Sequence, residues 1–287
     1  MCGPLLSWRP GRRGLGLRAS MAMRLQILGS GSAGNCALLR TEGARVLIDA
    51  GFSCRRLREL LHHAGTRMEE IDAVFLTHEH GDHAAGIEGF KKHPRTEIYS
   101  NAPTARAVWQ KAGREATWRL FETGTTFRVR DLEVTSFAVP HDAQEPVGFC
   151  FAHGDAQDLF SPRRSLAWLT DLGHVPAAVY AHLRACDVVV VESNHCPKLL
   201  EADHRRPWST KQRIAGRHGH LSNAATRELL EATAHPGWRR VFLTHLSRDC
   251  NSFEAVEREL AGLRARLGET CGFEIVAPGG GTAAWEW

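Results

Sequence analysis

The sequence predicts a single α/β domain over residues 23–287, and three observations carry that reading. Short apolar, β-prone runs alternate with stretches of helical character from Met23 onward, the pattern of a sheet joined by crossover helices. No internal repeat and no low-complexity linker interrupts the chain after residue 22. Asp49, His78, His141, Asp171, Glu192 and His245 each follow an apolar or β-prone run closely. That placement gathers polar side chains from distant segments at one edge of the sheets, where sites in layered α/β folds form.

Taken in order, Leu25-Gln26-Ile27-Leu28 reads as the first strand and Arg45-Val46-Leu47-Ile48, ending in Asp49, as the next. A helix is expected over 53–64. The run Ala73-Val74-Phe75-Leu76 is a strand that leads into a histidine cluster, with a helix starting near Ala84. Further strands are expected over 132–138, 165–169, 188–191 and 241–243, and helices over 102–112, 176–184, 223–234 and 252–267. Residues 1–22 stand apart: Arg9, Arg12, Arg13 and Arg18 lie among Gly and Pro with little apolar periodicity and no signal-peptide core. They read as a disordered extension or the product of an upstream start codon, with Met21 and Met23 as alternative starts. An Arg-rich, acid-free leader of mitochondrial type fits less well, because serine is nearly absent.

Composition narrows the class. At 287 residues the chain can bury a large core, and its 43% hydrophobic content is that of an ordinary globular protein. No apolar run approaches the roughly 18 residues of a membrane span. A net charge of +4 is compatible with a polyanionic substrate without specifying one. The eight cysteines are scattered and form no CxxC pair, so they read as reduced thiols in a cytoplasmic protein rather than a zinc ribbon or redox motif.

The densest chemistry lies in Thr77-His78-Glu79-His80-Gly81-Asp82-His83. Imidazole nitrogen and carboxylate oxygen are the donors that hold zinc and related divalent ions. His78 and His80 are two apart, so an extended backbone points both to one face. Asp82 and His83 follow where the chain must turn. Two ions can be built from these groups: His78, His80 and His141 for one, Asp82, His83 and His245 for the other, with Asp171 bridging and a water or hydroxide between them. Such a pair lowers the pKa of water and clamps a displacement at phosphorus or carbon. Asp49 is expected to orient a ligand histidine from outside the coordination sphere, or to cap the turn at Gly51.

The HxHxDH string, with the later His141, Asp171 and His245, resembles the metal-binding motifs of the metallo-β-lactamase superfamily from residue 23 to the end of the chain. Gly29-Ser30-Gly31-Ser32-Ala33-Gly34-Asn35-Cys36, Glu192-Ser193-Asn194-His195 and Gly219-His220-Leu221-Ser222-Asn223 narrow the resemblance to the YycJ (WalJ/VicX) type, described as exonuclease-like. The resemblance implies a four-layer αββα sandwich with a dimetal site at its edge. Glu79 departs from the usual small or polar residue and points away from the His78/His80 face.

Metal ligands alone do not choose a substrate. The Gly29–Asn35 loop could face a phosphate with its amides and hydroxyls or be a plain tight turn, and Asn35 is its candidate contact. Residues 204–223 form the most basic part of the folded region, with Arg213 among its cations and no acid from Arg205 to Asn223. Ser222 or Asn223 is placed as an N-cap whose helix would aim free amides at an anion. His195 and His220 remain after the ligands are assigned. Either could contact the scissile phosphate or protonate a leaving oxygen, and His220, inside the basic segment, is the better placed. Trp208 either stacks on a base or packs.

The resulting expectation is a dimetal phosphodiesterase acting on nucleic acid, a DNA exonuclease. Asp82 and His220 are its catalytic residues and hydroxide generated at the metals is its nucleophile. The ions are two divalent cations, with zinc ahead of manganese or iron. The rivals are a carbonyl hydrolase, a thioesterase or lactonase on the same site, and a metal-binding scaffold without turnover. Strand polarity and oligomeric state are not legible.

Overall fold

The computed structural model of the chain describes residues 22–155 and 162–287; the extension over 1–21 lies outside the described residues. The first sheet is built from β1 (Arg24–Gly29), β2 (Cys36–Arg40), β3 (Arg45–Ile48), β4 (Ala73–Phe75), β5 (Glu97–Asn101) and β6 (Thr117–Phe121). The second comprises β7 (Thr126–Val129), β8 (Leu132–Ala138), β9 (Val147–His153), β10 (Arg164–Leu169), β11 (Val188–Glu192), β12 (Arg240–Thr244) and β13 (Gly272–Ile275). The chain returns at its end to add β14 (Trp285–Glu286) beside β1. The spatial orders are β14-β1-β2-β3-β4-β5-β6 and β13-β12-β11-β10-β9-β8-β7. Antiparallel meanders (β1 to β3, β7 to β10) give way to parallel pairings (β3 to β6, β10 to β13).

Helices cover both outer faces: α1 (Cys54–His63), α2 (Gly81–Ala84), α3 (Ala102–Ala112), α4 (Ala177–Arg184), α5 (Pro197–Ala202), α6 (Trp208–Ile214), α7 (Asn223–Thr233) and α8 (Phe253–Leu267). The period-two alternation of strands explains the layering. On β11, Val188 and Val190 join the core between the sheets, while Val189 and Val191 face α4, α7 and α8 on the outside. On β4, Ala73 and Phe75 point inward and Val74 outward, toward Leu57 and Leu61 of α1. A strand buried on both faces must be apolar throughout, so these were the runs that stood out in the sequence. The result is an αββα sandwich. Phe75 packs edge-on against Phe149 and Phe151 and stacks on Tyr99, and truncating such a buried ring costs about 3–5 kcal/mol. It anchors the strand that delivers the first histidine of the cluster three residues later.

The structure corrects one expected helix. A helical turn begins inside the cluster at Gly81, with His80 at the N-cap in extended conformation, and ends at Ala84, so it precedes the expected start near Ala84 and carries Asp82 and His83. A separate 3-10 helix, with three-residue spacing of its backbone bonds, follows over Ile87–Lys92.

Candidate metal centre and active-site cavity

Most of the donors follow the C-terminal end of a strand. Asp49 comes just after β3, Thr77 and His78 after β4, His141 after β8, Asp171 after β10 and His245 after β12, and Glu192 closes β11, whereas His80, Asp82 and His83 belong to α2 and its N-cap and His220 to the loop before α7. Asp49, Asp171 and His245 hold φ at 59°, 58° and 53°, a left-handed backbone that costs a residue with a β-carbon of order 1–3 kcal/mol. The kink turns each side chain from the sheet face toward the edge. Gly51 lets the segments close on one another: a β-carbon there would stand 1.6 Å from the Asp82 carbonyl oxygen.

Two triads form. The donor atoms of His78, His80 and His141 lie within 4.8 Å of one another, as do those of Asp82, His83 and His245. Asp171 reaches both sides: it groups with His78 and His83, and again with Glu192, His220 and His245. Its Oδ2 lies 3.2 Å from His83 Nε2, and its Oδ1 3.5 Å from His245 Nδ1 and 4.0 Å from His141 Nε2.

The ring orientations are set from behind. Asp49 accepts the Thr77 amide at 2.8 Å, the Thr77 hydroxyl at 2.9 and 3.0 Å, and His83 Nδ1 at 2.8 Å. Thr77 Oγ1 in turn lies 3.0 Å from His78 Nδ1. His141 Nδ1 donates to the Gly219 carbonyl at 3.0 Å. Each contact holds the Nδ1 proton and turns Nε2 toward the centre of the cluster. Gly219 can offer that carbonyl because its turn presses on α6, where a β-carbon would stand 2.1 Å from the Arg213 carbonyl oxygen. Glu79 points away from the donors. Its Oε1 accepts the Gln144 amide at 2.9 Å and steadies the loop that carries His141.

The electrostatics follow from burial and neighbours. Burial works against ionised Asp171, but His245 and His83 outweigh it and hold its pKa well below the usual carboxylate range. Burial likewise opposes ionised Glu192, and His220 beside it brings its pKa down to about 2. For His245, burial is overcome by Asp171, which lifts its pKa to about 10. Burial lowers His78 and His141. His78 Nε2 and His245 Nε2 are buried without a hydrogen-bond partner, an arrangement costing roughly 1–3 kcal/mol per atom, and Asp171 Oδ2 has only the 3.2 Å approach of His83 Nε2. Donors converging from three separate segments fit divalent cations, and the mixed imidazole and carboxylate set suits zinc, manganese or iron.

The donors open on a cavity of about 360 Å³, lined also by Ser32, Lys111, Asp142 and Arg213. Apart from Gly81 every lining residue is polar or charged. Lys111 comes from α3 and Arg213 from α6, so two cations from opposite sides reach the mouth. Arg213 lies 3.4 Å from Asp142. His220 lines the same cavity, with its Nδ1 3.0 Å from Glu192 Oε2.

Other expected contacts are corrected. Asn35 is 2% exposed; its amide bonds Gly31 and the Asp82 carbonyl and lies 3.0 Å from His83 Nε2, so it ties the Gly/Ser loop to the cluster instead of facing substrate. Asn223 is 3% exposed and bonds Ser193 and Asn251. Ser222 caps α7 by accepting the Ala225 amide, and the Asn223 amide donates to the His195 carbonyl. The helix start is therefore used internally and presents no anion site. His195 is also buried and lines a different cavity. Much of the basic segment is neutralised from elsewhere in the chain: Arg205 and Arg206 both pair with Asp203 and Asp249.

Sequence reasoning placed Glu192 at a strand end but gave it no role. It is fully buried, and besides His220 it accepts the Leu172 and Leu221 amides at 2.8 and 3.0 Å. The signal available was the carboxylate closing the run Val188-Val189-Val190-Val191. Lys111 and Thr77 were also missed; a lysine at the end of an amphipathic helix carries no local mark of its destination.

Comparison with known proteins gives the following matches. The family described as "Beta-lactamase superfamily domain" matches residues 44–246. The chain is 30% identical over 263 residues to "Exodeoxyribonuclease WalJ" of Streptococcus pneumoniae serotype 2, covering 90% of this chain and 94% of that protein. It is 30% identical over 259 residues to "Exodeoxyribonuclease YycJ" of Bacillus anthracis, covering 89% and 95%. Among solved structures, the metallo-β-lactamase fold protein YhfI from Bacillus subtilis superposes with a TM-score of 0.67 at 16% identity, over 93% of this chain and 99% of that one.

Proposed function

The chain belongs to the metallo-β-lactamase superfamily, in the group of WalJ and YycJ, and from that premise we propose that it is a two-metal phosphodiesterase acting on nucleic acid, a DNA exonuclease. The observation that carries the proposal is the cavity: both donor triads open onto one polar chamber whose mouth bears Lys111 and Arg213.

His78, His80 and His141 would hold one ion and Asp82, His83 and His245 the other, with Asp171 within reach of both sets. Bound there, two divalent ions would supply an acidified water and charge stabilisation for an in-line displacement at phosphorus. The rest falls to the chain. Lys111 and Arg213 hold the phosphates flanking the scissile one. Asp82, with its side chain partly open to the cavity, orients the attacking water. Burial opposes the charged form of His220, but Glu192 outweighs it and raises its pKa. With Nδ1 turned to Glu192, His220 presents Nε2 to the cavity as the proton donor for the leaving oxygen. A thioesterase or lactonase would need apolar walls for its acyl group, and this chamber has none. We assign zinc as the first choice of metal, with manganese or iron as alternatives. We also assign the protein to the cytoplasm: the seven cysteines among the described residues are free, and no helix there is long and apolar enough to cross a membrane.

The test is incubation of the zinc- or manganese-loaded chain with end-labelled single- and double-stranded DNA, beside His80→Ala. The expected result is a ladder of mononucleotide steps that His80→Ala abolishes. A chain that cleaves neither DNA, or a variant as active as the parent, overturns the assignment.

A further inference from the structure

A second cavity, of about 260 Å³, lies on the other side of α6 from the metal centre. It is walled by His195, Leu200, Trp208, Lys211, Gln212 and Ala215. Residues 208, 211, 212 and 215 are spaced i, i+3, i+4, i+7, one face of a helix, whereas Arg213 turns from a different face into the catalytic chamber. A single helix, about 10 Å across with its side chains, therefore separates the two cavities, and one nucleic-acid strand can lie over both.

Three features of this cavity call for a ligand. Trp208 is 68% exposed, the most exposed large apolar side chain among the described residues, although an indole left in water forfeits its burial energy. His195 is 3% exposed, and its Nδ1 is buried with no hydrogen-bond partner, the costly state that a bound polar group relieves. Lys211 donates to the Glu201 carbonyl at 2.7 Å and fixes α5 against α6 at the mouth, so the cavity is held open between two tethered helices. Its volume falls below the roughly 300–1,000 Å³ typical of pockets for drug-sized ligands and suits one planar ring system. The floor offers Leu200 and Ala215, with hydrogen-bonding capacity from Gln212 and His195. Burial brings the His195 pKa down to about 4, so its ring is neutral and suited to an uncharged polar edge rather than to a phosphate.

We propose that this cavity is a nucleobase subsite: the base of a nucleotide next to the one being cleaved stacks on Trp208 and is hydrogen-bonded from His195 and Gln212, while its phosphate lies toward Arg213. The inference rests on the nuclease reading above and adds the part of the strand that the metal centre does not touch. It also gives the enzyme a way to prefer a flexible strand end, whose bases are free to swing out, over a paired duplex.

The test is binding of the zinc-loaded full-length chain to fluorescently labelled phosphorothioate oligothymidylate, whose backbone resists cleavage, and to an abasic phosphorothioate oligomer with the same number of phosphates. The expected result is binding of oligothymidylate about five- to a hundred-fold tighter than the abasic strand, the range for one stacked base. Trp208→Ala removes that preference and Trp208→Phe keeps most of it. The exposed position of Trp208 makes either variant compatible with folding. Equal affinity for the two oligomers, or a preference untouched by Trp208→Ala, overturns the subsite while leaving the nuclease assignment standing. Failure to bind either oligomer overturns both.

Discussion

Asp49 is the residue whose replacement tests the metal centre most sharply, because one carboxylate sets two ligand rings. It accepts His83 Nδ1 directly and, through the Thr77 hydroxyl, holds the acceptor that faces His78 Nδ1. His78 belongs to one triad and His83 to the other. Asp49→Asn keeps the shape of the side chain and tolerates the φ of 59° at this position, since asparagine is among the few residues that enter the left-handed region readily; alanine would add backbone strain to any effect on the metals. The Thr77 amide is a fixed donor at 2.8 Å, so the asparagine oxygen must face it. The amide nitrogen then meets His83 Nδ1, which was 2.8 Å from a carboxylate oxygen.

Two donors now confront each other, and the relief is for the His83 proton to move to Nε2, the atom that should bind the ion. Restoring the ligand tautomer leaves an unmade buried hydrogen bond, about 1–3 kcal/mol. At about 1.4 kcal/mol per tenfold, this amounts to roughly a 10- to 100-fold loss of metal affinity, the usual cost of removing an outer partner of a ligand histidine. The assay is competition with a chromophoric chelator, alongside circular dichroism to show that the fold survives. If Asp49→Asn bound both ions within twofold of the parent, the claim that this carboxylate orients the ligands would fail. Lower thermal stability with unchanged metal affinity would instead make Asp49 a cap for its own strand end.

Three further outcomes follow from the geometry. Lys111→Ala and Arg213→Ala should each weaken DNA binding and reduce the slope of log affinity against log salt by about one, read by anisotropy titrations from low to moderate salt; an unchanged slope would remove that residue from the phosphate track. Arg205→Ala should leave both affinity and slope unaltered, because its guanidinium is paired with Asp203 and Asp249, and as an exposed pair its loss costs no more than about 1 kcal/mol in urea unfolding. Gly51→Ala should destabilise the chain by about 3 kcal/mol and depress metal content, since a β-carbon 1.6 Å from the Asp82 carbonyl oxygen must push the Asp82–His83 turn out of place; normal metal content by elemental analysis would count against that close approach.

What could be read in advance follows from how far apart the cooperating residues lie. Strands β3, β4, β11 and β12 announce themselves because both faces are covered and every residue must be apolar. Strands such as β6 and β7, whose positions are mostly exposed or half-buried, lack that mark, and α6 buries none of its residues, so no apolar stripe reveals it. The ligands were legible for a related reason: a histidine or aspartate at the end of an apolar run is conspicuous by contrast. The basic segment misled because charge is only half of an ion pair. Asp203 stands just before the segment, but Asp249 lies 43 residues beyond Arg206, and only the fold shows that the two carboxylates together take up Arg205 and Arg206. Asn35 and Asn223 failed in the same way. An amide in a Gly/Ser loop or at a helix start reads as available until the fold shows its partners.

The backbone adds a criterion that the sequence does not contain. Four residues with β-carbons take positive φ among the described residues, and three of them, Asp49, Asp171 and His245, end strands at the metal centre. The fourth, Arg130, sits in the turn between β7 and β8, away from the site, so left-handed conformation alone does not mark function. What separates the three is that the kink is held on both sides. The Asp49 amide donates to Phe75, the His245 amide to the Ser30 hydroxyl at 2.8 Å, and the Leu172 amide beside Asp171 to Glu192. Each anchor comes from a different segment, with residue 30 reaching across to 245. Strain of a few kcal/mol persists only where surrounding structure over-determines it. Here the anchors are the loops and strand ends that the site itself assembles, which is why relaxing one kink should loosen ligands on more than one strand.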